Sequence, residues 1–143
     1  MADLFHRVSI RKYQEKKVEP EKLDYILRAS MAAPSACNQQ PWEFYIVEDP
    51  EILEELSETT PYAKLTAKAP MAIVTAYRKE CTAPAYAQID LSICMENMVI
   101  RSIVTIFSHL TLLSHDGSGF HHIDPAGFSL LQDIPVRRYR RPA

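Results

Sequence analysis

The densest group of polar side chains suited to binding lies between Pro34 and Pro41. Proline fixes its own φ and biases the preceding residue away from the helical region, so this stretch is expected to be a loop. Ser35, Asn38 and two successive glutamines supply hydroxyl and amide groups that both donate and accept hydrogen bonds. The stretch therefore predicts a binding loop for a planar ligand rich in heteroatoms. The alternative is a polar connector whose amides satisfy only their own turn.

A second group of candidate residues, Arg7, Ser9 and Arg11, follows an extended pattern near the N-terminus. Guanidinium groups and a serine hydroxyl are suited to binding a phosphate. The chain's 3 glycines all lie at or beyond Gly117, so no glycine-rich phosphate loop can form earlier in the chain. A phosphorylated cofactor would then be held by side chains, and these three are the leading candidates. The alternative is a solvated basic N-terminus.

Composition limits the classes of function. The chain has 143 residues, of which 47% are apolar and 24% charged, and its formal net charge is -2. This length and composition predict a single globular domain spanning residues 1–143, with no affinity for nucleic acid. No apolar run approaches the roughly 20 residues of a membrane helix. The 3 cysteines lack metal-site spacing, which predicts no metal centre and a reducing, cytoplasmic location.

Hydrophobic patterning predicts the elements that position these candidates. A helix is expected over 20–33, directly before the loop, and a strand is expected over 42–47, directly after the loop. Further expected elements are a helix from Pro50, a short helix over 61–68 and a buried strand over 71–77.

The segment from residue 85 to about 113 is apolar on all sides, which predicts a long helix buried in the core or in a subunit interface. Its β-branched cluster from residue 100 leaves the later part open between helix and strand. From residue 114 the composition shifts to glycine, histidine, proline and serine. The last seven residues, 137–143, contain four arginines and are expected to be disordered.

Two motifs together resemble the nitroreductase family of flavin-dependent oxidoreductases. The first is the R-x-S-x-R-x-Y-like segment at residues 7–13, and the second is A-P-S-A-x-N-x-Q-P-W at residues 33–42. The similarity continues through residues 69–74 and weakly through 95–98. It therefore covers about residues 1–100, and residues 101–143 form a divergent tail.

The resemblance implies an α+β fold, with a small mixed sheet packed by helices and a long buried central helix. It also implies FMN as cofactor, NAD(P)H as reductant and a nitroaromatic, quinone or similar electron acceptor. The expected assembly is a homodimer with shared flavin sites and no membrane partner. Because the cofactor makes and breaks the bonds, no catalytic residue is assigned.

Site residues implied by the resemblance include loop positions Pro34, Ser35, Ala36 and Asn38. Lys64 falls where the family often places a lysine near the flavin ring, and a cation there would stabilise the negative charge of reduced flavin. The alternative for Lys64 is an exposed helix lysine. Cys37 stands where the family more often has glycine, which bears on how tightly the loop can turn.

Residues 101–143 lack recognisable counterparts of the family's second half. Divergence, truncation or a shifted reading frame would each produce such a tail, so the C-terminal part is atypical or truncated. An alternative function follows from this departure: a non-catalytic flavin-binding protein, or a structural remnant of a nitroreductase with an incomplete pocket.

Overall fold

The computed structural model describes residues 12–78, 80–104, 110–111 and 137–139. Three helices and four short strands occur in this part of the chain. In order, they are α1 (Pro20–Met31), β1 (Trp42–Val47), α2 (Pro50–Glu58), β2 (Ala72–Tyr77), α3 (Ala87–Val104), β3 (Leu110–Thr111) and β4 (Arg137–Tyr139).

Helices α1 and α2 both begin with proline, whose fixed φ suits the first helical turn. The predicted helix over 20–33 is confirmed apart from its last two residues, because Ala32 is already the C-cap. A short helix over 61–68 was expected, and this prediction is wrong for most of its length. Only Thr66–Lys68 forms a single 3-10 turn there.

The strands form one mixed sheet in the order β3-β2-β1-β4. Strands β1 and β2 are antiparallel, with Trp42 opposite Tyr77 and Val47 opposite Ala72. Strand β3 lies parallel to β2, and β4 lies antiparallel to β1. The expected disorder of the last seven residues is therefore wrong for Arg137–Tyr139, whose backbone extends the sheet beside β1.

Alternating side chains of β1 and β2 build a separate core on each face of the sheet, as the period of two in a strand requires. Phe44, Ile46 and Ile73 face α1 and α3. On the other face, Val47, Val74 and their neighbours pack with Leu53 and Leu56 of α2.

The long helix α3 is buried on one side only. Leu91, Cys94 and Met98 are almost fully buried against α1 and the sheet, whereas Ile89 and Ile93 are exposed. Helix α3 is described as far as Val104, and Leu110–Thr111 is a strand, so both structures occur within the ambiguous end of the predicted helix. Each helix in the described ranges is too short or too polar to span a membrane.

Candidate functional site

The loop between α1 and β1, residues 34–40, contains three residues with left-handed backbone. Cys37 and Asn38 both have φ of 52°, and Gln40 has φ of 44°. This region is uncommon for residues with a Cβ atom and costs about 1 kcal/mol or more for each of them. The conformation at Cys37 is one that glycine adopts freely, which accounts for glycine being suited to this position. Other contacts must hold the loop in this shape.

Hydrogen bonds within the loop close it on itself. The backbone N–H of Gln40 donates to Ser35 Oγ at 3.0 Å, and the Gln40 side-chain amide donates to Asn38 Oδ1 at 2.9 Å. The backbone N–H groups of Asn38 and Gln39 donate to the carbonyls of Ser35 and Ala36, each at 3.0 Å. These bonds set the direction of the backbone through the turn.

Asp90, on the first turn of α3, anchors the inner side of the loop. Its Oδ1 accepts a hydrogen bond from the backbone N–H of Ala36 at 3.0 Å, and its Oδ2 accepts one from Gln39 Nε2 at 2.6 Å. The Gln39 amide also bonds Ala83, donating to its carbonyl at 3.1 Å and accepting from its N–H at 2.7 Å. Asp90 is only 3% exposed, so the loop satisfies a buried carboxylate.

Arg78, which directly follows β2, holds the end of the loop. Its Nη2 donates to the carbonyl of Gln40 at 2.9 Å and to that of Gln39 at 3.4 Å. The Arg78 backbone N–H donates to the carbonyl of Pro41 at 2.9 Å. Arg78 therefore joins the loop to β2 through both its side chain and its backbone.

Sequence reasoning did not identify Asp90 or Arg78, and it did not separate Gln39 from the other polar residues of the loop. One signal for Asp90 was present, because it is the sole acidic residue in the first two turns of a helix rich in apolar residues. Buried acids in such a helix require a partner. That partner, Gln39, lies 51 positions earlier in the chain, so the contact depends on the tertiary structure.

The structure brings together four of the eight predicted site residues. Pro34, Ser35, Ala36 and Asn38 lie on the same loop, and Pro34 and Asn38 are exposed.

Lys64 lies beyond α2, where it is exposed and paired with Glu58. No hydrogen bond or ion pair within the described part of the chain joins Lys64 to the loop. The predicted phosphate-binding residues Arg7, Ser9 and Arg11 lie outside the described residues. Across the described ranges, no cluster of histidine, cysteine and acidic side chains could hold a metal ion.

Comparison with known proteins identifies a similar family. Residues 4–60 match the model of the Nitroreductase family. The front of this chain is therefore similar in sequence to the Nitroreductase family. A relative from Methanothermobacter thermautotrophicus, provisionally named an NADH dehydrogenase/NAD(P)H nitroreductase, is 38% identical over 97 residues. That alignment covers 67% of this chain and 51% of the relative.

Solved nitroreductase structures have a similar fold. An FMN-dependent nitroreductase from Clostridium difficile R20291 is 36% identical with a TM-score of 0.66, over 71% of this chain and 59% of that one. A provisionally assigned nitroreductase from Desulfovibrio desulfuricans, solved in complex with FMN, is 25% identical with a TM-score of 0.66. The match to it covers 71% of this chain and 60% of that one.

These matches confirm the predicted nitroreductase-like α+β fold and the predicted family resemblance. The chain spans about half the length of the curated relatives it matches. The share of this chain that aligns, about 70%, agrees with a resemblance confined to roughly its first hundred residues.

Proposed function

We propose that this protein is an FMN-dependent oxidoreductase that transfers hydride from NAD(P)H through flavin to a nitroaromatic, quinone or similar acceptor. The observation that carries the proposal is the anchored loop at residues 34–40. Its inner side is bound to Asp90 and Arg78, which leaves Asn38 and Cys37 at the surface. Such a loop is shaped before any ligand arrives, so little further ordering is needed for binding.

The polar groups on the loop suit a flavin ring. Among the described residues, no acceptor takes a hydrogen bond from the Ser35 hydroxyl or from the Asn38 side-chain amide, so both groups keep a donor for a ligand. The N–H of Ala36 is already bound to Asp90, so Ala36 would offer an apolar contact instead. Pro34, Ser35, Ala36 and Asn38 would thus hold the ring edge by hydrogen bonds and packing.

The remaining predicted site residues complete the proposed cofactor site. Arg7, Ser9 and Arg11 would bind the FMN phosphate. Lys64 would supply a positive charge for the flavin, because its pair with Glu58 is exposed on both sides and such a pair is weak enough to exchange. When bound, FMN accepts and donates hydride, while the residues of the chain bind and orient it.

A homodimer with shared flavin sites is part of the proposal. Helix α3 carries Ile89 and Ile93 on its exposed side, and a second copy of the chain would cover them. We further propose that residues 1–143 fold as a single domain. A cytoplasmic location is consistent with Cys37, Cys81 and Cys94, which are all free thiols.

The proposal is tested by the cofactor content and the turnover of the purified full chain. We expect a visible flavin absorbance spectrum after incubation with FMN and gel filtration, and release of FMN rather than FAD on denaturation. Oxidation of NADH or NADPH should then depend on an added nitroaromatic or quinone. Failure to retain FMN would contradict the proposal. Retention of FMN without turnover would instead identify the non-catalytic flavin-binding protein.

A further inference from the structure

We propose that Asp90 is a positioning residue, which holds the loop at residues 34–40 in the conformation that binds flavin without itself contacting the cofactor. The inference rests on the proposed function of that loop. The role of Asp90 in shaping the loop is nevertheless measurable in the absence of any ligand.

The geometry makes Asp90 the point at which two loop groups converge. The backbone N–H of Ala36 reaches one carboxylate oxygen at 3.0 Å, and the side chain of Gln39 reaches the other at 2.6 Å. These two residues flank Cys37 and Asn38, both of which have left-handed backbone. Bonds on each side of an unfavourable backbone segment oppose its relaxation to ordinary φ values.

The direction of these bonds distinguishes positioning from simple helix stabilisation. An acidic residue in the first turn of a helix is favoured by the helix dipole and commonly accepts hydrogen bonds from the helix's own N–H groups. The two hydrogen bonds that the described part of the chain donates to the Asp90 carboxylate instead come from the loop. The burial of Asp90 keeps water from replacing either donor.

Asparagine provides a sharp test because it preserves the shape of the side chain while changing its hydrogen bonds. Two donors converge on Asp90, whereas an asparagine has one carbonyl oxygen and one NH₂ group. In Asp90→Asn, either Ala36 or Gln39 must lose its acceptor and face another donor. Glu96→Gln is the matched control, since it neutralises an exposed carboxylate on the same helix.

The experiment uses the full chain and measures two properties in each variant. Hydrogen exchange by NMR, without flavin, should show the Ala36 amide exchanging at least tenfold faster in Asp90→Asn. Amides of β2, such as Val74, should exchange at the wild-type rate. Titration with FMN should show a dissociation constant at least tenfold higher for Asp90→Asn than for wild type. Both proteins are measured below their unfolding temperatures. Glu96→Gln should match wild type in both measurements.

A second variant covers the case in which Asp90→Asn does not fold. Gln39→Met removes the side-chain amide that donates to Asp90. It leaves the sequence of α3 unchanged and keeps a side chain of similar length. It should likewise accelerate exchange at Ala36 and weaken FMN binding tenfold or more.

The outcomes separate this inference from the proposed function. Wild-type exchange at Ala36 in the folded variants would overturn the positioning role. Faster exchange with unchanged FMN affinity would overturn its connection to the flavin site. Equal acceleration at Ala36 and throughout β2 would indicate a general structural role and also overturn it. If wild type binds no FMN, the proposed function fails, while exchange at Ala36 still tests whether Asp90 holds the loop.

Discussion

At the scale of residues, the shape of the loop at 34–40 depends on side chains that form hydrogen bonds with the backbone. Ser35 accepts a hydrogen bond from the N–H of Gln40, whose own φ is left-handed. Gln39 has the same side-chain chemistry as Gln40 but is drawn inward to Ala83 and Asp90. Two adjacent, chemically identical residues thus differ in role because the backbone turns between them.

Replacing Ser35 with alanine should destabilise the protein even without a cofactor. The N–H of Gln40 would lose its acceptor in a partly buried position, which typically costs about 1 kcal/mol. Urea denaturation of the flavin-free protein measures this change. Ser92→Ala is the control, because the Ser92 hydroxyl only bonds the Gln88 carbonyl one turn back on an exposed helix face. An equal effect in both variants would argue against a specific role for Ser35.

The cysteines should differ sharply in reactivity. Burial raises the pKa of the Cys94 thiol from 9.0 to about 12, whereas Cys37 is exposed. At pH 8, a disulfide reagent should modify Cys37 quickly and Cys94 only after unfolding, and mass spectrometry of peptides would identify the sites. Equally fast labelling of Cys94 in the folded protein would show that α3 is not packed as described.

The same burial predicts the effect of alkaline pH on stability. A raised folded-state pKa means that the contribution of Cys94 is fully present below pH 9 and is lost as pH rises toward 12. The melting temperature of wild type should therefore fall more steeply over this interval than that of Cys94→Ala, measured relative to each protein's own value at pH 8. Parallel slopes for the two proteins would contradict the burial of the thiol.

At the scale of elements, the two early helices differ in how they begin. The Asp49 carboxylate accepts a hydrogen bond from the N–H of Glu51 at 2.9 Å and caps α2. Glu19 at the start of α1 makes no such bond with its side chain. Leu53 and Leu56 of α2 pack against β1 and β2 on one face of the sheet, so the start of α2 supports this part of the core.

Asp49→Ala should lower the free energy of unfolding by about 1 kcal/mol, as loss of an N-cap usually does. The exposed neighbour Glu48, which lies before the cap, supplies the control Glu48→Ala. Thermal or urea unfolding followed by circular dichroism measures both. Identical stabilities for the two variants would show that the Asp49 cap does not stabilise α2.

At the scale of the whole molecule, α3 and the tyrosine directly before it present an apolar stripe that the described part of the chain leaves exposed. Tyr86, Ile89 and Ile93 are 55%, 56% and 38% exposed and follow one another at helical spacing. The opposite side of the same helix packs against α1. Arg101 also stacks on the half-exposed ring of Tyr25 in α1, 4.2 Å from the ring centroid. One side of α3 thus belongs to the core, and the other is available to a second copy.

The proposed homodimer should depend on this stripe. Light scattering of wild type at micromolar concentration should give twice the mass of the chain, and Ile89→Glu with Ile93→Glu should give a monomer, because charges at a buried contact must be desolvated. Tyr62→Glu is the control, since Tyr62 is 92% exposed but lies beyond α2. A dimer that survives the double substitution would place the interface elsewhere, and a monomeric wild type would rule out shared flavin sites.

The sequence by itself determined the local features of this protein. Proline at helix starts and apolar periodicity predicted α1, β1 and β2 nearly to the residue, and the polar run after Pro34 predicted the loop. The family motifs added the fold. These features are predictable because φ restriction and side-chain periodicity act over a few neighbouring residues.

The tertiary structure alone decided which polar residues shape the loop and which face outward. Asp90 meets Gln39 across 51 positions, and Arg78 meets Gln40 across 38. Both contacts exist because β2 pairs with β1 in one register and α3 packs across the same sheet. The sequence did not predict which side of α3 is exposed, for a related reason. Composition shows that a helix is apolar, but only packing determines which of its sides the core covers.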